Sequence, residues 1–145
     1  MLQIENKLGK TLDAEKLKKV YQKILKKFVI DPAFAECGLH IVKKKEMKEF
    51  NQKFRKINKP TDVLSFPIDE PLRKIRNPKS EIRKQKNETV SKFEIRNSSL
   101  EIILGDIFIC TEMMRPETSL EKTFIHGLLH LLGLNHQEQK KYGYF

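Results

Sequence analysis

Apolar residues recur at two different periods along this chain, and the period changes mark its elements. Leu17, Val20, Tyr21, Ile24, Leu25 and Phe28 follow helical spacing, with Lys16, Lys18, Lys19, Lys23, Lys26 and Lys27 filling the positions around them. The spacing predicts a helix over Asp13 to Phe28, with Thr11 or Asp13 as cap and Asp31-Pro32 beyond its end. Met47, Phe50, Phe54 and Ile57 predict a second helix over Lys45 to Ile57, closed by Lys59-Pro60. A third, Leu120 to Leu132, is rich in leucine and preceded by Pro116 and a capping Thr118 or Ser119. Between them, short runs predict strands at Leu2 to Glu5, Leu39 to Val42 and Asp62 to Phe66. A further strand-like run, Leu100 to Cys110, is interrupted at Gly105-Asp106. Helices and strands interleave, which predicts an α/β (α+β) class: a small mixed sheet packed against helices. Neither an internal repeat nor a second domain is evident, so residues 1–145 are expected to form one domain.

The third helix changes the picture, because it carries chemistry. Three of the four histidines lie in His126-Gly127-Leu128-Leu129-His130-Leu131-Leu132-Gly133-Leu134-Asn135-His136. His126 and His130 are one helical turn apart and share a face. Gly133 can enter the left-handed conformation and end the helix, letting His136 swing back toward the other two. Three neutral imidazoles meeting at one point form a tridentate site for a zinc-like ion, leaving a position open as catalytic sites do. Nickel, copper or iron could occupy the same donors. The spacing also matches H-E-x-x-H-x-x-G-x-x-H metalloproteases, whose glutamate serves as general base. Here that position is Gly127, which cannot move a proton, so peptide hydrolysis loses its base.

Charge directs attention to phosphate. The formal net charge is +10, which favours polyanions and above all nucleic acid. From Pro71 to Ser99, nine cations outnumber the acids Glu81, Glu88 and Glu94, and apolar residues are sparse. This 71–99 segment reads as a solvated basic loop that can grip RNA phosphates without reading sequence. Tryptophan is absent and aromatics are few, so no stacking platform for bases is evident. Cys37 and Cys110 read as reduced thiols, His40 as structural or exposed. No secretory or membrane-spanning run is present, and a soluble cytoplasmic protein is expected.

Three blocks taken together, Asn51 to Pro67, Leu104-Gly105-Asp106-Ile107 and the histidine motif, resemble the YbeY family of endoribonucleases. The resemblance implies a single-strand-specific, metal-dependent endoribonuclease. It would act in ribosomal RNA processing, notably at the 3′ end of the small-subunit RNA, and in ribosome quality control. RNA and ribosomal subunits would be its partners; neither DNA nor a membrane is expected. The family's zinc ligands match His126, His130 and His136, and its functional arginine matches Arg55. Catalysis is therefore expected at Arg55 and His126, with Arg55 also binding substrate. Asp106 either orients a histidine or caps backbone; Thr61 and Ser65 are donors with strand or turn roles. The chain departs from the family at Leu134-Asn135, which loses a negative charge beside the ligands. Only Gln137 to Phe145 follows the last ligand, so the helical tail of relatives is expected to be missing or reduced. Two other classes remain open: a metal-dependent hydrolase of another substrate, and a non-catalytic RNA- or ribosome-binding protein with a structural metal.

Overall fold

In the computed structural model, which describes residues 1–9, 11–68 and 102–143, a four-stranded sheet carries the helices on its two faces. The basic 71–99 segment lies outside the described residues. The strands are β1 (Leu2–Asn6), β2 (Ala35–Ile41), β3 (Val63–Pro67) and β4 (Ile102–Ile109), in spatial order β1-β2-β4-β3. β1 and β4 both run parallel to β2, while β3 runs antiparallel to β4. The helices are α1 (Ala14–Lys27), α2 (Lys44–Arg55), α3 (Leu120–Leu131) and α4 (His136–Lys141). The mixed sheet and interleaved helices agree with the α/β reading.

Alternation along the strands sorts side chains between two cores. Ala35, Cys37, Leu39 and Ile41 of β2 and Ile102, Leu104, Ile107 and Ile109 of β4 face α1 and α3. They meet Leu17, Tyr21, Ile24 and Leu25 from α1 and Phe124, Leu128 and Leu131 from α3. Tyr21 keeps its hydroxyl paired by donating to the Ala35 carbonyl at 3.0 Å. On the opposite face Leu64 packs with Val42, Met47 and Cys110, joined by Phe50, Phe66 and Phe108. α2 therefore covers the β3–β4 side of that face.

Three boundaries differ from the sequence reading. β2 begins at Ala35, ahead of the expected Leu39, because Asp31 caps a short 3-10 turn at Pro32–Phe34 and the chain leaves it extended. β4 is continuous through Gly105-Asp106. Its register against β2 slips once, Glu36 pairing with Ile103 and Cys37 with Gly105. Gly105 has φ +130 there, and the Phe66 carbonyl lies so near that any β-carbon would collide. That is a bulge absorbed by glycine, not a strand end. Third, the chain after Gly133 is helical. Asn135 accepts from the Glu138 amide at 2.9 Å while Glu138 accepts from the Asn135 amide at 2.7 Å, a reciprocal cap that starts α4.

Candidate metal centre

α3 begins at Ser119, whose side chain accepts from the Lys122 amide, and it buries Phe124, Gly127, Leu128 and Leu131 against the sheet and α1. Gly127 sets the distance of that contact. A β-carbon there would lie 2.8 Å from Ile107 Cγ2, 3.2 Å from Ser65 Oγ and 3.3 Å from Val63 Cγ2. Ser65 fixes the same spot by donating to the Gly127 carbonyl at 3.0 Å. A glutamate at 127 would have to push β3 and β4 aside, so the peptidase's base has no room as well as no residue.

The helix ends in a complete Schellman turn. Gly133, at φ +72, donates to the His130 carbonyl at 2.8 Å, and Leu134 donates to that of Leu129 at 2.9 Å. Leu129 and Leu134 are both buried, supplying the apolar contact that accompanies this turn. The reversal delivers His136 as the first residue of α4.

The three imidazoles meet. Their ligating nitrogens all lie within 4.8 Å of one another. His126 Nε2 and His130 Nε2 are 3.1 Å apart, and the His136 ring centroid stands 5.0 and 5.1 Å from those of His126 and His130. Nitrogens at about 2.0–2.1 Å from a tetrahedral ion stand roughly 3.4 Å from each other, so the donor set fits with little adjustment. Protonation favours ligation too. Burial first, then the neighbouring imidazoles, pushes His130 down to about 4. Burial likewise lowers His126, against the raising effect of Gln139. Both rings are therefore neutral near pH 7 and present lone pairs.

Gln139 escaped the sequence reading. Only 1% exposed, it accepts from His126 Nδ1 at 2.7 Å and donates to the Leu134 carbonyl at 3.2 Å. The second bond fixes which amide atom faces the ring. His126 then carries its proton on Nδ1, and its lone pair lies on Nε2, the nitrogen that faces His130. Its signal was its place one turn after His136, visible only once that stretch is known to be helical. Asp62, just ahead of β3, adds a carboxylate whose field reaches His126; it accepts from the Val63 amide and from Thr61 Oγ1.

Other expected residues stand elsewhere. Asp106 does hold a histidine, but it is His40 and not a member of the trio: His40 Nε2 to Asp106 is 2.9 Å. Asn135, expected beside the ligands, spends its side chain on the α4 cap. Arg55 is exposed at the last position of α2, which packs on the face opposite α3. It makes no hydrogen bond or ion pair among the described residues. No helix among those residues is long and apolar enough to cross a membrane.

Comparison with known proteins points to one family. The family described as Endoribonuclease YbeY matches residues 3–143. The Endoribonuclease YbeY of Aliarcobacter butzleri is 30% identical over 146 residues, spanning 94% of this chain and 80% of the relative. That of Persephonella marina is 30% identical over 148 residues, spanning 95% and 80%. Among solved structures, the solution structure of TM1509 from Thermotoga maritima is 27% identical with a TM-score of 0.52, covering 98% of this chain and 86% of that one.

Proposed function

The chain belongs to the YbeY endoribonuclease family, and from that premise we propose that it is a zinc-dependent endoribonuclease of single-stranded RNA. Its substrate would be ribosomal RNA, including the 3′ end of the small-subunit RNA, with a part in ribosome quality control in the cytoplasm. The observation that carries this reading is the convergence of His126, His130 and His136 on one point with both α3 imidazoles held neutral. The family name supports the coarser role, RNA cleavage; the fold and the trio are consistent with it.

The residues divide the work. His126, His130 and His136 would hold the ion, with nickel, copper or iron as alternatives to zinc. When bound, the ion would supply Lewis acidity toward a phosphodiester and lower the pKa of water. Gln139 keeps His126 in the tautomer that donates Nε2 outward. Arg55, which makes no hydrogen bond or ion pair among the described residues, would clamp a phosphate and offset charge that builds during cleavage. Gly127 and Ser65 exclude a side chain between α3 and the sheet, so the proton acceptor is not a carboxylate at that position. The basic 71–99 segment would add sequence-independent grip on phosphates, and ribosomal subunits would be the larger partner. One domain spanning 1–145 would house all of these parts.

Elemental analysis and RNA cleavage on the same preparation test the reading. Native protein should carry one transition-metal ion and cut single-stranded RNA. His130→Ala should lose both metal and cleavage; Arg55→Glu should lose cleavage and keep the metal. Intact RNA after long incubation with metal-loaded protein would sink the enzyme, and salt-dependent binding in that case would favour a non-catalytic RNA-binding protein.

A further inference from the structure

The face of the sheet opposite α3 holds a row of rings. His40 stacks on Phe108 at 4.6 Å and 14° between planes. Phe108 meets Phe50 at 4.7 Å and Phe66 at 5.6 Å. Phe66 in turn meets Phe54 at 4.8 Å. The inner rings pack around the second core, but Phe54 is 53% exposed. It is a flat apolar surface braced from behind and open in front.

Its surroundings are cationic. The Lys53 ammonium lies 5.4 Å from the Phe54 ring centroid. From Gln52 to Thr61 the chain contains Lys53, Arg55, Lys56 and Lys59 and no acid. Lys56 takes the left-handed conformation, φ 60, so the chain turns directly after Arg55, and Asn51 Nδ2 donates to the Lys59 carbonyl at 2.7 Å, which folds this cationic stretch back on α2. A dry protein interface would have to desolvate these cations at high cost. A ligand with flat apolar faces strung on an anionic backbone matches both features at once. A duplex hides its base faces; an unpaired strand offers them.

We propose that Phe54 is a stacking platform for one unpaired base of an RNA strand, with Lys53 and Arg55 contacting the phosphates on either side. The proposal rests on the reading of this protein as an RNA-cleaving enzyme and names a subsite of it. Position supports the link. Phe66, which backs Phe54, is four residues along β3 from Asp62, whose carboxylate acts on His126. Among the described residues β3 is the edge strand of the sheet, so a strand of RNA that crosses it would run from one face of the sheet to the other.

The absence of tryptophan from the chain makes the test direct. Phe54→Trp places a single fluorophore at the subsite. Three probes are titrated: a single-stranded RNA oligomer, a duplex of the same sequence, and an abasic ribose-phosphate strand of the same length. The single strand should quench the fluorescence, and the duplex and abasic strand should not. Phe54→Leu, with its melting temperature checked against wild type, should bind the single strand about 5- to 150-fold more weakly. It should bind the abasic strand as wild type does, and it should raise KM with little change in kcat. Equal binding of RNA by wild type and Phe54→Leu overturns the platform and leaves the RNA-cleaving reading standing. So does equal wild-type affinity for the abasic strand. If wild-type protein binds none of the three, the RNA-cleaving reading falls and the platform with it.

Discussion

On the face of the sheet that α3 covers, three imidazoles stand against one another and against buried leucines. On the opposite face a fourth, His40, stands between two carboxylates, with Glu5 2.9 Å from Nδ1 and Asp106 2.9 Å from Nε2. Both of its ring nitrogens are therefore taken up by carboxylate oxygens, and neither is turned toward another imidazole. In the trio, burial and neighbouring rings disfavour the extra proton, and Gln139 takes the one N–H that His126 does carry. The same side chain thus joins a cluster of imidazoles on one face and ties strands together through carboxylates on the other. Its nearest acceptors decide which. The comparison also separates the two aspartates near histidine: Asp106 is bound to His40, and only Asp62 makes itself felt at His126.

The largest effect should come from breaking the device that makes one face a donor set. Gln139→Ala removes the acceptor on His126 and should weaken metal binding about 10- to 100-fold, read by competition with a chromophoric chelator. His40→Gln should leave metal affinity unchanged. Loss of metal from the His40 variant would erase the distinction drawn here.

Packing gives a second, smaller contrast. Gly127→Ala drives a methyl group into Ile107, Val63 and Ser65, an overpacking cost of about 1–3 kcal/mol. The better helix propensity of alanine returns about 1 kcal/mol of that. Denaturant unfolding should show the net loss. At Gly38 an added β-carbon would meet the Asp106 carboxylate, a side chain that can swing outward, so Gly38→Ala should disturb the His40 tie more than the stability of the fold. Equal destabilisation by the two changes would mean that both faces are packed alike.

The smallest effect is that of pH on metal-free protein. His130 is pushed from 6.5 down to about 4 in the folded chain, and His126 is lowered as well. Between those values the unfolded chain binds the extra proton, so this stability is fully present above about pH 6.5 and is lost as pH falls toward 4. The melting temperature should decline from pH 7 to pH 5, and His130→Ala should flatten the decline. A melting temperature that rises on acidification would contradict the neutral state assigned to the trio.

Much of the α3 side could be read in the chain because its information is local. The three ligands lie within a short stretch of sequence, their faces follow from helical spacing, and Gly133 announces the bend. Asn135 and Glu138 carried a capping signature for α4 as well. It went unread because His136–Lys141 has no apolar stripe to mark a helix. The opposite face was illegible for a different reason. His40 finds Glu5 and Asp106 35 and 66 residues away, and Phe54 meets Phe66 only after the turn at Lys56 folds α2 back on β3. Strand register decides those meetings, and composition alone argued against an aromatic platform. β2 was cut short for a related reason: Ala35, Cys37 and Gly38 are poor strand markers, although the alternation of Ala35, Cys37, Leu39 and Ile41 was present.

The Schellman turn at Gly133 has a consequence for the order of assembly. It keeps the three histidines and Gln139 on one continuous segment, so the hook closes through a loop of about ten residues, a motion on the order of 10–100 ns in a flexible chain. The sheet must instead bring Leu39 beside Ile107 across the whole basic stretch between them. Refolding speed should therefore be set by strand pairing, with the histidine hook already formed or forming freely on its own segment while the slower zippering proceeds.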